Sequence, residues 1–245
     1  AKDIIQVVEC DPVMTIRILK AINSPYFGLT KKVSSIPRAV VHIGINTIKN
    51  MALSVAALGI LKTSNNSDFC HQDFLLHSFI TAKLNRILAE RLALNQSEWS
   101  EYFVAGMLHD FGQLIFAECL PELFSQAATA SRTQQIAIHR SELEYIGLTH
   151  AHLGKLLAEK WNLSSNIAYA INHHHDTEGD NVLRDCIVVS NLLSQFLNHG
   201  DLGNQEEQTY SDSLTKRCGQ SLDDLINSLV DLDAVKKEAL TLIHS

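Results

Sequence analysis

The sequence predicts an all-α fold, a multi-helix domain preceded by a smaller N-terminal helical subdomain, on three observations. Apolar residues recur three and four apart in one segment after another, as in Ile16, Leu19 and Ile22 or Leu153, Leu156 and Leu157. Helix-start signals precede such segments: Asp11-Pro12, Ser164, and Ser221 with Asp224 three residues on. No stretch alternates apolar and polar residues as a half-buried strand would, and there is no phosphate-binding glycine loop, dinucleotide fingerprint or GxSxG elbow.

Taken in order, the first helix with clear signals opens at Asp11-Pro12 and stops at Asn23-Ser24-Pro25, where Tyr26, Phe27 and Gly28 begin a turn. That turn reads as structural, since no acid, base or cation converges on it. A short helix follows from Ser35-Ile36-Pro37 to Ile43, with Gly44 as its stop, and Asn46 opens an apolar helix to Leu61. Lys62 to Asp68 is linker-like, so residues 1–62 are expected to form the N-terminal subdomain and residues 69–245 the larger one. The larger part should hold a long helix from Phe69 to Ala93, a helix capped by Ser97, another begun by Pro121, a polar helix containing Glu142 and a helix near His150 with Trp161 on its buried stripe. Next come a helix capped by Ser164, a polar stretch from Asp176 to Asn181, a core helix from Val182 to Leu197, a polar loop from His199 to Ser211 and a terminal helical hairpin.

Composition narrows the function. The chain is 46% hydrophobic and 19% charged, ordinary for a globular protein, and its five cysteines form no CxxC pair and read as reduced thiols. Without a signal-peptide pattern or an apolar run of membrane-spanning length, a cytoplasmic protein with no membrane partner is expected. The chain begins inside an amphipathic pattern, which leaves open whether residues precede Ala1. A net charge of −7 argues against a general nucleic-acid binder. Up to Lys62, however, there are 8 basic and 3 acidic residues against 12 and 24 in the remainder. The first quarter therefore either meets an acidic partner or presents a solvated basic face.

Chemistry concentrates around Ala105-Gly106-Met107-Leu108-His109-Asp110-Phe111-Gly112, a His-Asp pair in an apolar, glycine-punctuated run. His77, His150, His174 and His175 each lie in or at the end of a helical segment, as ligands of a metal site assembled from several helices would. Neighbouring helical residues point about 100° apart, so His109 and Asp110 can grip one ion only at a helix end or distortion, a latitude Gly106 and Gly112 are expected to supply. Asp73 and His77, four apart, share a helix face and could share an ion; His77 alone would read as a half-buried core histidine. Of His150 and His152 at most one should be a ligand, because residues two apart face different ways. Asn191 lies among core residues and needs a partner, either an ion or backbone.

Together these segments resemble the HDOD domain, the signalling branch of the HD metal-dependent phosphohydrolase superfamily, over nearly the whole chain. The resemblance rests on Asp11-Pro12, Leu19, Asn23-Ser24, Phe27-Gly28, Ala39-Val40 and Ile43-Gly44, then on His77, Gly106 to Gly112, Glu142, Gly147, His150, Gly154, Trp161 and His174-His175. It implies an HD-superfamily helical fold with metal ligands His77, His109, Asp110, His150, His174 and His175, His109 and Asp110 being the catalytic pair of any hydrolase. Asp73 stands where the related HD-GYP enzymes carry a further carboxylate. Asn191 stands where the superfamily has its closing aspartate, Gln113 replaces the basic residue that follows the pair in HD-GYP phosphodiesterases, and the GYP tripeptide is absent. Two readings follow. One is a bacterial signal-transduction domain that binds an unidentified signalling protein and keeps an altered site for one or two divalent transition metals, or has lost the metal. The other is a metal-dependent phosphohydrolase acting on a nucleotide or cyclic dinucleotide. Five imidazoles suit iron, manganese, nickel or zinc better than magnesium.

Overall fold

The computed structural model describes residues 2–10, 12–23, 32–49, 51–52, 69–92, 94, 98–176, 179–199, 216, 219, 224, 228 and 232–243. Among these every regular element is a helix, as the periodicity predicts. The chain divides into two compact units, residues 1–63 with 244–245, and residues 64–243.

In the first unit, helices α1 (Lys2–Glu9), α2 (Pro12–Ile22) and α3 (Ile36–Ile43) and a helical stretch at 45–49 enclose a core of Val8, Ile18, Ile22, Val33, Ile36, Ala39, Ile48 and Met51. Gly44 ends α3 at φ +83°, donating its N–H to the Val40 carbonyl at 2.9 Å, the left-handed stop that glycine permits. Asn23 ends α2 through its side chain. Its Nδ2 donates to the carbonyls of Leu19 (2.8 Å) and Val33 (2.7 Å), and its Oδ1 accepts from the Val33 N–H at 2.6 Å. The amide thus ties the end of one helix to the strand of chain leading into the next, a structural task. The Asp11 cap, the turn at Ser24 to Gly28, the helix beyond residue 52 and the linker from Lys62 to Asp68 lie outside the described residues.

The second unit is built on α4 (His71–Arg91), which packs against α5 (Trp99–Leu108), α11 (Val182–His199) and α12 (Leu232–Ile243). Surrounded in this way, α4 is buried almost all round from Ser78 to Ala89. Small residues let its neighbours approach. A Cβ on Gly106 of α5 would lie 2.7 Å from the Ala82 Cα, so only glycine fits, and Asn85 Nδ2 reaches the Tyr102 carbonyl at 2.5 Å. After α5 come α6 (Phe111–Cys119), α7 (Pro121–Gln134), α8 (Ile138–Tyr145), α9 (His150–Lys160) and α10 (Ser165–Asn172). Proline opens α7, and Ser164 caps α10 by accepting the Ile167 N–H at 3.3 Å. The Ser97 cap, the loop from 200 to 211 and the capping box at Ser221 lie outside the described residues.

Gly106 and Gly112 serve differently from expectation. Both lie within helices, so they lend no conformational latitude to the His-Asp pair; a Cβ on Gly112 would fall 2.2 Å from the His150 carbonyl oxygen. The latitude comes from the break between α5 and α6. The glycines remove side chains where another helix must touch.

Candidate metal centre

His109 and Asp110 occupy the junction of α5 and α6, His109 closing the first helix and Asp110 opening the second. Asp110 makes no side-chain cap and turns its carboxylate toward imidazoles instead. Three contacts bring those imidazoles in. Gly112 allows the start of α9, with His150 as its first residue, to press against α6. Gly154 does the same for α9 and α10, since its Cβ would sit 2.7 Å from Ile171 Cγ2, and α10 ends just before His174 and His175. Finally, α4 presents His77 to the side of His109.

Four of the rings, those of His77, His109, His150 and His174, are oriented through the other nitrogen. His109 Nδ1 donates to the Gly106 carbonyl at 2.8 Å and His174 Nδ1 to the Ile171 carbonyl at 2.7 Å. Both acceptors are carbonyls three residues back, in the last turn of a helix, where no further turn claims them. His77 Nδ1 lies 3.1 Å from the Ser194 hydroxyl, which itself donates to the His77 carbonyl at 3.3 Å, so the ring is the donor. Glu142, fully buried, accepts from both the backbone N–H (2.8 Å) and Nδ1 (2.6 Å) of His150 through one oxygen. This bonding assigns the tautomers and puts Nε2 on the side of Asp110 in all four rings.

The Nε2 atoms then divide between the two carboxylate oxygens. Oδ1 lies 3.2 Å from His150 Nε2 and 3.4 Å from His174 Nε2, while Oδ2 lies 3.2 Å from His109 Nε2 and 3.4 Å from His77 Nε2. His175 completes the first group, its Nε2 2.8 Å from that of His150. Two ligand groups result, Asp110 with His150, His174 and His175, and Asp110 with His77 and His109, the atoms of each within 4.8 Å of one another. Asp110 Oδ1 and His174 Nε2 are both buried acceptors without a hydrogen bond. Facing acceptors at such distances call for a cation among them, a protonated imidazole or a metal ion, and the donor set of imidazoles with one carboxylate fits a divalent transition metal.

Electrostatics agree. Burial alone would raise the Asp110 carboxyl, but His109, His150 and His174 hold it well below the usual carboxylate range. Burial pulls His150 down, yet the Glu142 and Asp110 carboxylates overcome it and push its pKa up to about 10. His174 falls to about 4 and His175 well below its ordinary value, in both cases first through burial. Without an ion, His150 therefore carries the positive charge that Asp110 and Glu142 require.

The other candidate residues differ in their surroundings. Asp73 is exposed and joins neither group, because its side of α4 faces solvent at that turn. His152 is exposed while His150 is buried, as two-residue spacing predicts. His173 turns to Asp176, Nδ1 to Oδ2 at 2.6 Å, leaving two of the three consecutive histidines for the centre. Asn191 is buried on α11, one turn before Ser194, with Oδ1 accepting from Gln195 Nε2 at 3.2 Å. Residue spacing gave no hint of three supporting groups: Glu142, eight residues and a turn away from His150; Ser194, on a distant helix; and Arg184. The Arg184 guanidinium, buried in an ion pair with Asp185 (2.7 Å), donates from Nε to the His173 carbonyl and so fastens the segment carrying His174 and His175 to α11.

A helical unit with an His-Asp junction at its centre and imidazoles converging from four further positions defines a domain of the HD type. The model of the HDOD domain family matches residues 1–177, and the chain belongs to that family. A protein from Treponema pallidum (strain Nichols) is 24% identical over 199 residues, which take in 80% of this chain and 38% of that protein's length. Among solved structures, a candidate phosphohydrolase from Shewanella amazonensis SB2B superposes with a TM-score of 0.74 at 21% identity, covering 99% of this chain and 87% of the other. An HDOD domain protein of unknown function from Geobacter sulfurreducens gives 0.74 at 22% identity, covering 97% and 86%. At these identities the likeness establishes the fold. No helix among the described residues is long and apolar enough to cross a membrane.

Proposed function

We propose that the chain is a cytoplasmic signal-transduction domain that acts by binding a partner protein and keeps a centre for one or two divalent transition-metal ions. The observation that supports this most is the contrast between the four anchored histidines around Asp110 and the neutral Asn191 amide, whose oxygen is already engaged by Gln195. Such a centre can hold an ion, with His77, His109, His150, His174 and His175 as nitrogen ligands and Asp110 between the two groups. Among the described residues the two ligand groups contain no carboxylate besides Asp110 to take a proton from water, Glu142 being engaged by His150, and an amide at position 191 brings neither charge nor basicity. A bound ion would supply Lewis acidity and fixed positive charge, suited to holding a phosphate group of a ligand or partner.

One observation favours a second reading, a phosphohydrolase acting on a nucleotide or cyclic dinucleotide. The two oxygens of Asp110 face different ligand groups, an arrangement in which two ions could share a carboxylate and clamp a phosphate between them. The full chain loaded with manganese or iron, assayed on a generic phosphodiester and on cyclic dinucleotides beside Asp110→Ala, decides between the readings. No turnover above the variant is expected. Metal-dependent turnover lost in Asp110→Ala would put the hydrolase first.

A further inference from the structure

His139, in the first turn of α8, belongs to neither ligand group, yet its ring stacks on that of His175 with centroids 4.2 Å apart and planes 20° from parallel. His175 is thereby enclosed by rings: His139, His174 at 3.9 Å, and His150 edge-on at 4.8 Å and 89°. Nitrogen lone pairs lie in the ring plane, so two nearly parallel stacked rings direct theirs side by side and cannot converge on one ion. His139 is therefore no ligand to an ion held by His175. Its place on α8 is informative, because Glu142 stands three residues later and on the same helix face. Glu142 orients His150 by hydrogen bonds, and His139 covers His175, whose Nε2 is 2.8 Å from that of His150. His139 Nδ1 is buried with no hydrogen-bond partner, so the ring is kept there at a cost to the fold that stacking alone would not require of a histidine.

We propose that His139 is a positioning residue for the His150–His174–His175 half of the centre, and that α8, which contributes no ligand, is the clamp that holds two of its imidazoles in register for an ion. The inference rests on the reading that the cluster binds metal. An aromatic face at position 139 limits rotation of the His175 ring about its last side-chain bond, a torsion that is otherwise broad. Precision of this kind in the groups behind a ligand commonly carries tenfold to hundredfold in metal affinity.

Manganese titration of the untagged full chain, by calorimetry with melting temperature measured in parallel, tests it on His139→Ala, His139→Leu and His139→Phe. Alanine and leucine should weaken one site by about tenfold while the other is unchanged, and phenylalanine, which keeps the stack, should stay within about threefold of wild type. In the metal-free protein, ring signals of His175 should shift in the alanine and leucine variants and hold in the phenylalanine one. Should alanine fail to fold, the leucine and phenylalanine pair, close in volume and differing in the ring, carries the comparison. Wild type that binds manganese beside His139→Leu binding equally well overturns the inference alone, as does a phenylalanine variant as weak as leucine. Wild type that binds no metal overturns the metal reading and this inference with it.

Discussion

The two halves of the centre share Asp110 but are supported by different chemistry. His77 and His109 are held by a serine hydroxyl and a backbone carbonyl, both neutral, whereas His150 in the other half is held by the buried Glu142 carboxylate. A carboxylate behind an imidazole makes it a more basic ligand, but it also stabilises the proton that competes with an ion. The half with the stronger ligands is therefore also the half that resists metal at low pH.

Glu142→Gln breaks this asymmetry most severely. Glutamine can still accept from His150, but it removes the leading cause of that ring's raised pKa, so the affinity of the His150 half should drop about tenfold to hundredfold while the His77 half keeps its own. The pH dependence sharpens the point. With a folded pKa of about 10 against an ordinary 6.5, protonated His150 stabilises the metal-free fold fully below about pH 6.5 and loses that contribution as pH rises through 10. An ion must displace the same proton, so metal affinity of this half should rise about tenfold per pH unit across the neutral range, and less steeply in Glu142→Gln. Proton release measured on metal addition in two buffers checks both slopes.

Restoring a carboxylate at Asn191 has a smaller expected effect. On the metal-site reading Asn191→Asp should tighten metal binding by ~1 kcal/mol, since a carboxylate can go on accepting from Gln195 and brings the charge that the amide lacks. Metal content and melting temperature measured together are decisive. A variant that melts lower by several kcal/mol of stability with unchanged metal would mark Asn191 as a core amide in which a new charge is stranded.

The smallest effect on the centre is expected from Asn23, in the other unit. Asn23→Ala removes three hydrogen bonds of the α2 terminus and should cost about 1–3 kcal/mol of stability, read by chemical denaturation, with metal content unchanged. Any loss of metal binding in a folded Asn23→Ala protein would contradict the structural assignment.

Much of this was legible in the residues, for reasons the structure makes plain. Helices announced themselves because apolar spacing, Pro121, Ser164 and Gly44 are local signals with local consequences. The centre's histidines could be picked out because polar side chains in otherwise apolar segments need partners. What stayed hidden depends on contacts between elements. Gly106 and Gly112 looked like points of flexibility, yet their function is the close approach of Ala82 and His150, which no local pattern encodes. Asp73 and His77 share a face of α4 but not an environment, because Asp73 lies one turn nearer the helix start, where that face is exposed. Glu142 entered only as part of the family pattern, and its bond to His150, like the stack of His139 on His175, became visible once α8 was seen folded against the histidines. One local rule was available and generalises: His109 and His174 follow helix ends, where carbonyls three residues back await a donor, so a histidine just past a helix terminus has its Nδ1 partner nearby.

The central claim is that these imidazoles converge to hold a divalent ion, and metal analysis of protein purified without an affinity tag tests it most directly. The account predicts about one or two ions of iron, manganese, nickel or zinc per chain, lost in His109→Ala with helicity intact. Less than about 0.2 ion per chain after metal supplementation would contradict it.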